Sequence, residues 1–382
     1  MSLVKLTVKQ VATFVNGATQ ESLGETALLA EDLSNVVDIG VAVQNADLYE
    51  NFTMGLLLRI GLDIYVNRPY KPSYPDIFRS NVEYGQLISK TRGVLDTAVD
   101  NQSWKLNNNT SYDDNVYVES TYSTKIFKER DAWEIRKSIP DEQIKGAFTS
   151  AEKLTEFVSM IFTLVYNSIE VKREQLVMAV IRNLIAETIA DNNAVRVVKL
   201  VSAYNTMYGT SLTDTNALYT KEFLQFAVGI IKKYQTLLTR YSSLYNINGA
   251  QNHTPKDLQH LVLLGEFSDN CDTYLNANTW HDYFLQLPYH DVVPYWQGTS
   301  TDLGECRKVK CTTASGASVE NGKVIGVLFD HDACAIYTDK PTVRTKYVNS
   351  AEFTNYWFKQ FANYSCDLDE NCIVFTLDWW GR

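Results

Sequence analysis

The chain from Thr149 to about Ala190 reads as one amphipathic helical stretch, and its length dictates what the remainder must cover. Thr149-Ser-Ala-Glu152 fits a capping box, in which the threonine oxygen accepts from the third amide and the glutamate reaches back to the cap. Leu154, Phe157, Val158, Ile161, Leu164, Val165 and Ile169 follow at helical spacing. Leu176, Val180, Leu184, Ile185 and Ile189 continue that face, with a joint expected near Asn167–Ser168, and Asp191-Asn-Asn ends it. A helix pair of this length would serve as a spine.

The sequence before the spine is of a different kind. Residues 2–45 mix short amphipathic pieces with polar ones, and Leu48–Ile64 carries Phe52, Leu56, Ile60 and Ile64 at a helix-like spacing interrupted by Gly55 and Gly61. Pro69, Pro72 and Pro75 then force extended backbone, since each removes an amide donor and restricts the residue before it. Tyr84–Asp100 leads out to the polar patch 102–115, whose Asn107-Asn-Asn109 run reads as a loop tip, and Val116–Phe127 returns as a strand. This long hairpin has too little apolar periodicity to fold alone and needs a neighbour, which points to a self-assembling subunit more than to an enzyme.

Beyond the spine, residues 195–320 show a helical pattern over 216–245, a loop at 248–255 and a strand at 261–264. Aromatic-rich material runs to Trp296, and Gly298–Gly322 has the composition of a linker or exposed loop. The chain closes with short strands at Val324–Phe329, Cys334–Tyr337, Val343–Val348, Phe353–Tyr364 and Cys372–Leu377. Their expected partners are the capped helix and the returning hairpin strand, in one core.

At 382 residues the chain has room for two or three compact units. Its 23 Tyr, 16 Phe and 7 Trp supply side chains with a large apolar body and a polar tip, suited both to strands and to surfaces that become buried against partners. A net charge of −10 with no dense basic run argues against tight nucleic-acid binding, though not against enclosing nucleic acid without gripping it. No secretory signal or bilayer-length apolar stretch is evident, so the chain reads as soluble and made in a cytoplasm. The six cysteines, without a CxxC pair, read as buried thiols.

Sites for chemistry are weakly signalled. His281-Asp282, His290-Asp291 and His331-Asp332 are dipeptides, and neighbours on a strand point to opposite faces, so none is by itself a coupled acid–base pair. Cys306 and Cys311 lack a histidine at ligand spacing for zinc. The acidic DLDEN between Cys366 and Cys372 lacks the glycine and terminal glutamate of a calcium loop and reads as a solvated strand turn. Catalytic residues, metal and cofactor are all expected to be absent.

Four segments carry a family resemblance: IGLDIY at 60–65, KIFKERDAWEIRKSIPDEQIKGAF at 125–148, TSAEKLTEFVSMIFTLVYNSIEV at 149–171, and the closing 322–366. In their order and spacing they resemble the major capsid proteins of tailed bacteriophages, and among them the coat proteins of small, short-tailed, protein-primed phages of Bacillus. The resemblance implies an α+β Hong Kong-97-like phage capsid fold. Its parts would be an N-terminal arm (1–48), a helical lead-in (49–64), an extended β-hairpin loop (65–130), a peripheral domain with the spine helix (131–194), an axial domain (195–321) and the closing strands of the peripheral domain (322–382).

The implied function is an icosahedral head around double-stranded DNA, built in the host bacterial cytoplasm from pentamers and hexamers. A portal protein would be a partner, and the DNA would be held without sequence-specific binding and without a membrane. Arg68, Lys71, Arg79, Lys90 and Arg92 are candidates for pairing with a neighbouring subunit, and Trp104 and Tyr112 near the tip for anchoring in it. Two departures from the family stand out. The Bacillus relative carries an additional immunoglobulin-like C-terminal domain that this sequence does not continue into, and no cleavable N-terminal scaffolding segment is visible, which implies a separate scaffolding protein. Rival readings are an encapsulin-like compartment shell and, from another class, a soluble hydrolase with a His-Asp site.

Overall fold

The computed structural model describes residues 12–13, 16, 30, 37–38, 41, 77–79, 88–96, 98, 100–112, 115, 117, 119, 121–143, 151–276, 287–297, 306–339 and 342–378. In chain order the main elements are β1 (Phe78–Arg79), β2 (Ile88–Gly93), β3 (Tyr122–Phe127), β4 (Arg130–Pro140), α1 (Ala151–Ala190), β5 (Val197–Lys199), α2 (Leu200–Tyr208), α3 (Asp214–Ala217), α4 (Lys221–Leu237), β6 (Gln259–Leu264), α5 (Gly265–Asn276), β7 (Asp291–Val293), β8 (Val309–Thr312), β9 (Ser318–Asn321), β10 (Val324–Asp330), β11 (Cys334–Thr338), β12 (Thr342–Val348), β13 (Phe353–Cys366) and β14 (Cys372–Thr376). They fall into two compact units, one of Met1–Glu83, Arg130–Ala179 and Ile336–Ala362, the other of Tyr84–Glu129, Val180–Ala335 and Asn363–Arg382.

Helix α1 is continuous over 40 residues, about 60 Å at 1.5 Å per residue. The joint expected near Asn167–Ser168 does not appear: the helix runs through it, with the Ser168 hydroxyl donating back to the Leu164 carbonyl at 2.8 Å. Ile161, Val165 and Ile169 recur every four residues and are buried. Leu164, expected on that face, is 44% exposed, since it lies about 100° round the helix from Val165. Thr149 and the expected lead-in over 48–64 lie outside the described residues.

In the first unit, β13 pairs antiparallel with β12 from Thr342↔Lys359 to Val348↔Phe353, and β4 and β11 also join it. The β12–β13 turn places Glu352 at φ 47°, and its carbonyl accepts the Asp141 amide at 3.1 Å. Tyr347 donates its hydroxyl to the Asp141 carboxylate at 2.7 Å, tying the end of β4 to β12. Arg130 stacks 4.0 Å over the Phe361 ring and reaches Asp339 at 3.0 Å.

The second unit holds a mixed five-stranded sheet in the order β5-β14-β10-β6-β7. Here the single expected core divides: the closing strands β10 and β14 pair with β6 and β5 of the middle region, not with the returning hairpin strand. β10 is buried along its whole length, as a nearly continuous apolar run between two neighbours requires. Gly326 lets β6 approach closely there: a Cβ would meet Leu263 Cδ2 at 2.5 Å and the Val262 carbonyl at 3.2 Å, so a side chain would force the Leu263 side chain to shift. Phe223, Leu224, Ala227, Val228 and Ile231 from α4 pack with Leu200, Val201 and Tyr204 from α2 and with Leu263, Ile373 and Phe375 of the sheet. From the end of α1, Leu184 and Ile185 are fully buried, and Thr188 lies 3.4 Å from Cys372. Within the stretch expected to be a linker, 306–322 instead forms the β8–β9 hairpin, whose turn uses Gly316 at φ 84°.

Candidate assembly interface

Strands β2 and β3 form an antiparallel hairpin in which Lys90 stands directly opposite Lys125. Side chains alternate between two faces, so Ile88, Lys90 and Arg92 share one and Ser89 and Thr91 the other. Two lysines in a cross-strand pair repel unless acids intervene. The acids come from the turn between β13 and β14. Lys90 Nζ lies 2.9 Å from Asp367 and also pairs with Glu370; Arg92 pairs with the same Glu370; Lys125 reaches Asp367 at 3.2 Å and Asp369 at 2.5 Å. Three cations thus meet three carboxylates.

That turn is not the solvated loop its composition predicts. Asp367 and Glu370 are 3% and 4% exposed, and Asn371 is fully buried. The neighbouring loop builds it: the Ile247 amide donates to the Leu368 carbonyl at 3.0 Å, Asn248 to the Asp369 carboxylate at 2.6 Å, and Asn252 to Glu370. Asp367 donates its own amide to the Ala333 carbonyl at 2.8 Å. Burial pushes the Asp367 carboxyl up, but the hydrogen bond and charge of Lys90, the Asp369 amide and the charge of Lys125 outweigh it and hold the group below the usual carboxylate range. Burial likewise opposes the Lys90 charge, and Glu370 and Asp367 overcome it, so the ammonium is held above its ordinary range.

Away from this base the hairpin presents apolar groups to solvent. Trp104 is 90% exposed and Tyr117 86%, and Leu106 and Tyr122 are also exposed. The tip has a defined shape nonetheless. A single helical turn covers Gln102–Trp104, Asn109 takes φ 69°, Ser103 donates its amide to Asn101 at 2.9 Å, and Lys105 pairs with Asp100 at 2.7 Å. Tyr112 accepts the Asn107 amide on its hydroxyl at 3.0 Å, so it braces the loop while Trp104 projects from it.

Of the candidate contact residues, Lys90 and Arg92 are engaged by acids of their own chain, and Arg79 lies in β1 beside Tyr337. Trp104 and Tyr112 are at the tip, and Arg68 and Lys71 lie outside the described residues. The sequence reading missed Lys125 and the three acids. Their signal was available in the two oppositely charged clusters, but not the pairing of segments some 240 to 280 positions apart.

The histidines hold other posts. His290 is set between the Ser268 hydroxyl at 2.9 Å and the Pro288 carbonyl at 2.8 Å, and Ser268 is only 4% exposed. A hydroxyl beside an imidazole has the form of an activated nucleophile, but this one is closed to a substrate and its histidine is oriented by a carbonyl, not a carboxylate. His331 and His260 bond each other at 2.8 Å. His281-Asp282 lies outside the described residues. No helix among the described residues is long and apolar enough to cross a membrane.

A chain in the structure of the head fiber and inner core protein of native bacteriophage P68 shares the fold, at 10% identity and a TM-score of 0.50 over 79% of this chain and 83% of that one. A chain in the capsid structure of Staphylococcus phage Andhra is similar over 79% and 83%, at 12% identity and a TM-score of 0.48. The chain belongs to the Phi29-like phage major capsid protein family, whose model matches residues 11–376. The major capsid protein of Bacillus phage GA-1 is 24% identical over 278 residues, covering 70% of this chain and 51% of the relative, so the chain spans about half the length of that relative.

Proposed function

We propose that this chain is the coat subunit of an icosahedral phage head enclosing double-stranded DNA, a structural and not a catalytic protein. Residues 65–130 act as the extended loop laid across an adjoining copy, α1 as the spine helix and 195–321 as the axial domain that closes pentamers and hexamers. The observation that carries this reading is the hairpin itself. Its base is locked by six charged side chains, and beyond the base Trp104, Leu106, Tyr117 and Tyr122 stand exposed. Ordering a hairpin so firmly while leaving its apolar groups wet makes sense when a second copy covers them.

A separate scaffolding protein and a portal complete the assembly in the bacterial cytoplasm. The acidic balance of the chain suits a container, because a weakly repulsive lining lets DNA be packed and later released. Negative-stain microscopy and sedimentation of the expressed chain, alone and with a scaffold, test the reading. Closed shells are expected, and their loss on Trp104→Ala together with Tyr117→Ala. A chain that stays monomeric under all conditions would reject it.

A further inference from the structure

β11 and β13 are neighbours, and two backbone hydrogen bonds fix their register: Asp339 N to Phe361 O at 3.0 Å and Asp367 N to Ala333 O at 2.8 Å. Both bonds belong to one antiparallel alignment, and that alignment sets Cys334 directly opposite Cys366. Hydrogen-bonded pairs alternate with non-hydrogen-bonded ones, and counting from either bond puts this pair at a non-hydrogen-bonded position. There the Cα atoms approach to about 4.5 Å, with both side chains on the same face. A disulfide spans Cα separations of about 4.4–6.8 Å, so neither strand has to move.

We propose that Cys334 and Cys366 are a redox-convertible dithiol that a low-molecular-weight disulfide such as oxidised glutathione closes into a cross-strand disulfide, pinning β13 at the point where it enters the acidic turn. All six cysteines are thiols in this structure; Cys366 is partly exposed and Cys334 buried. Cys366 therefore reacts first: its thiolate attacks the small disulfide, forming a mixed disulfide and releasing one small thiolate. Cys334 then gives up its proton and attacks the Cys366 sulfur, releasing the second small thiol. Two protein thiols are oxidised, one small disulfide is reduced to two thiols, and the cysteine protons end on the products. The hydrogen bond that the Cys334 thiol donates to the Cys366 sulfur, together with burial, holds the Cys334 thiol well above its ordinary range, which makes the second step the slower.

Cys372 is the competitor. It is 2% exposed, its thiol is pushed up to about 12 by burial, and it stands on β14, in the other sheet. The test uses the full chain, treated with oxidised glutathione, alkylated after denaturation and digested at aspartate, so that Cys366 and Cys372 fall on separate peptides. The expected map shows one reductant-sensitive pair joining Cys334 to Cys366, two hydrogens lighter than the reduced peptides. It persists in Cys372→Ala and vanishes in Cys366→Ser. A bridge to Cys372, a disulfide between chains, glutathione left on Cys366 with Cys334 alkylated, or no reaction would each overturn the proposal. The map of the unaltered chain decides by itself, whether or not a variant folds.

Discussion

The two ends of the β2–β3 hairpin are built on opposite principles. At the base, Lys90, Arg92 and Lys125 meet three carboxylates, two of which, Asp367 and Glu370, are almost wholly withdrawn from water. At the tip, a tryptophan and several tyrosines stand in solvent, and short-range polar contacts such as Tyr112 to Asn107 shape the loop. The base should therefore govern the stability of the chain, and the tip its affinity for another copy.

The sharpest way to break that division is Glu370→Ala. It strips the shared partner from Lys90, Arg92 and Asn252 and should lower the unfolding free energy by about 3 kcal/mol in urea titrations, with faster proteolysis of 94–121. Lys125→Met leaves Asp367 with Lys90 and removes the lysine facing Lys90, so a smaller loss of about 1 kcal/mol is expected by the same measurement. Acid acts in the same direction. Because the Asp367 carboxyl is depressed in the folded chain, its contribution is complete above the ordinary value of 3.8 and disappears as the pH falls below it. Lys90 is raised, so its share persists below 10.5 and is lost as the pH climbs beyond that. Hydrogen exchange of the hairpin amides across both ranges would reveal these losses, and flat protection would contradict them. Trp104→Ala should change unfolding by no more than about 0.5 kcal/mol while abolishing or sharply reducing shell formation in sedimentation. Tyr112→Phe, which removes only the hydroxyl that accepts the Asn107 amide, should have the smallest effect, a slight loosening of the tip seen by the exchange rate of that amide.

The sequence was most legible where one residue type dominates a short run. The closing strands emerge within a residue or two of their expected limits, because apolar stretches such as VIGVLFD are bounded by clear turns. β4 was not recognised as an 11-residue strand, since its less exposed side carries Asp131 and Lys137 along with Trp133, Ile135 and Ile139, which blurs the alternation. Asn167 and Ser168 read as a break because both are weak helix formers, whereas the apolar face on either side carries the helix through them. Trp104 and Tyr112 were visible as tip aromatics, but their different roles depend on one hydroxyl contact. The acidic turn was misjudged because nothing local tells a carboxylate facing water from one facing a lysine hundreds of residues away.

The matched charges at the hairpin base have a consequence for handling the particle. Counterions reach buried pairs poorly, so raising ionic strength should leave the hairpin seated on its own chain even where exposed pairs are screened away. Brine that separates one copy from the next would then release units already shaped for reassembly.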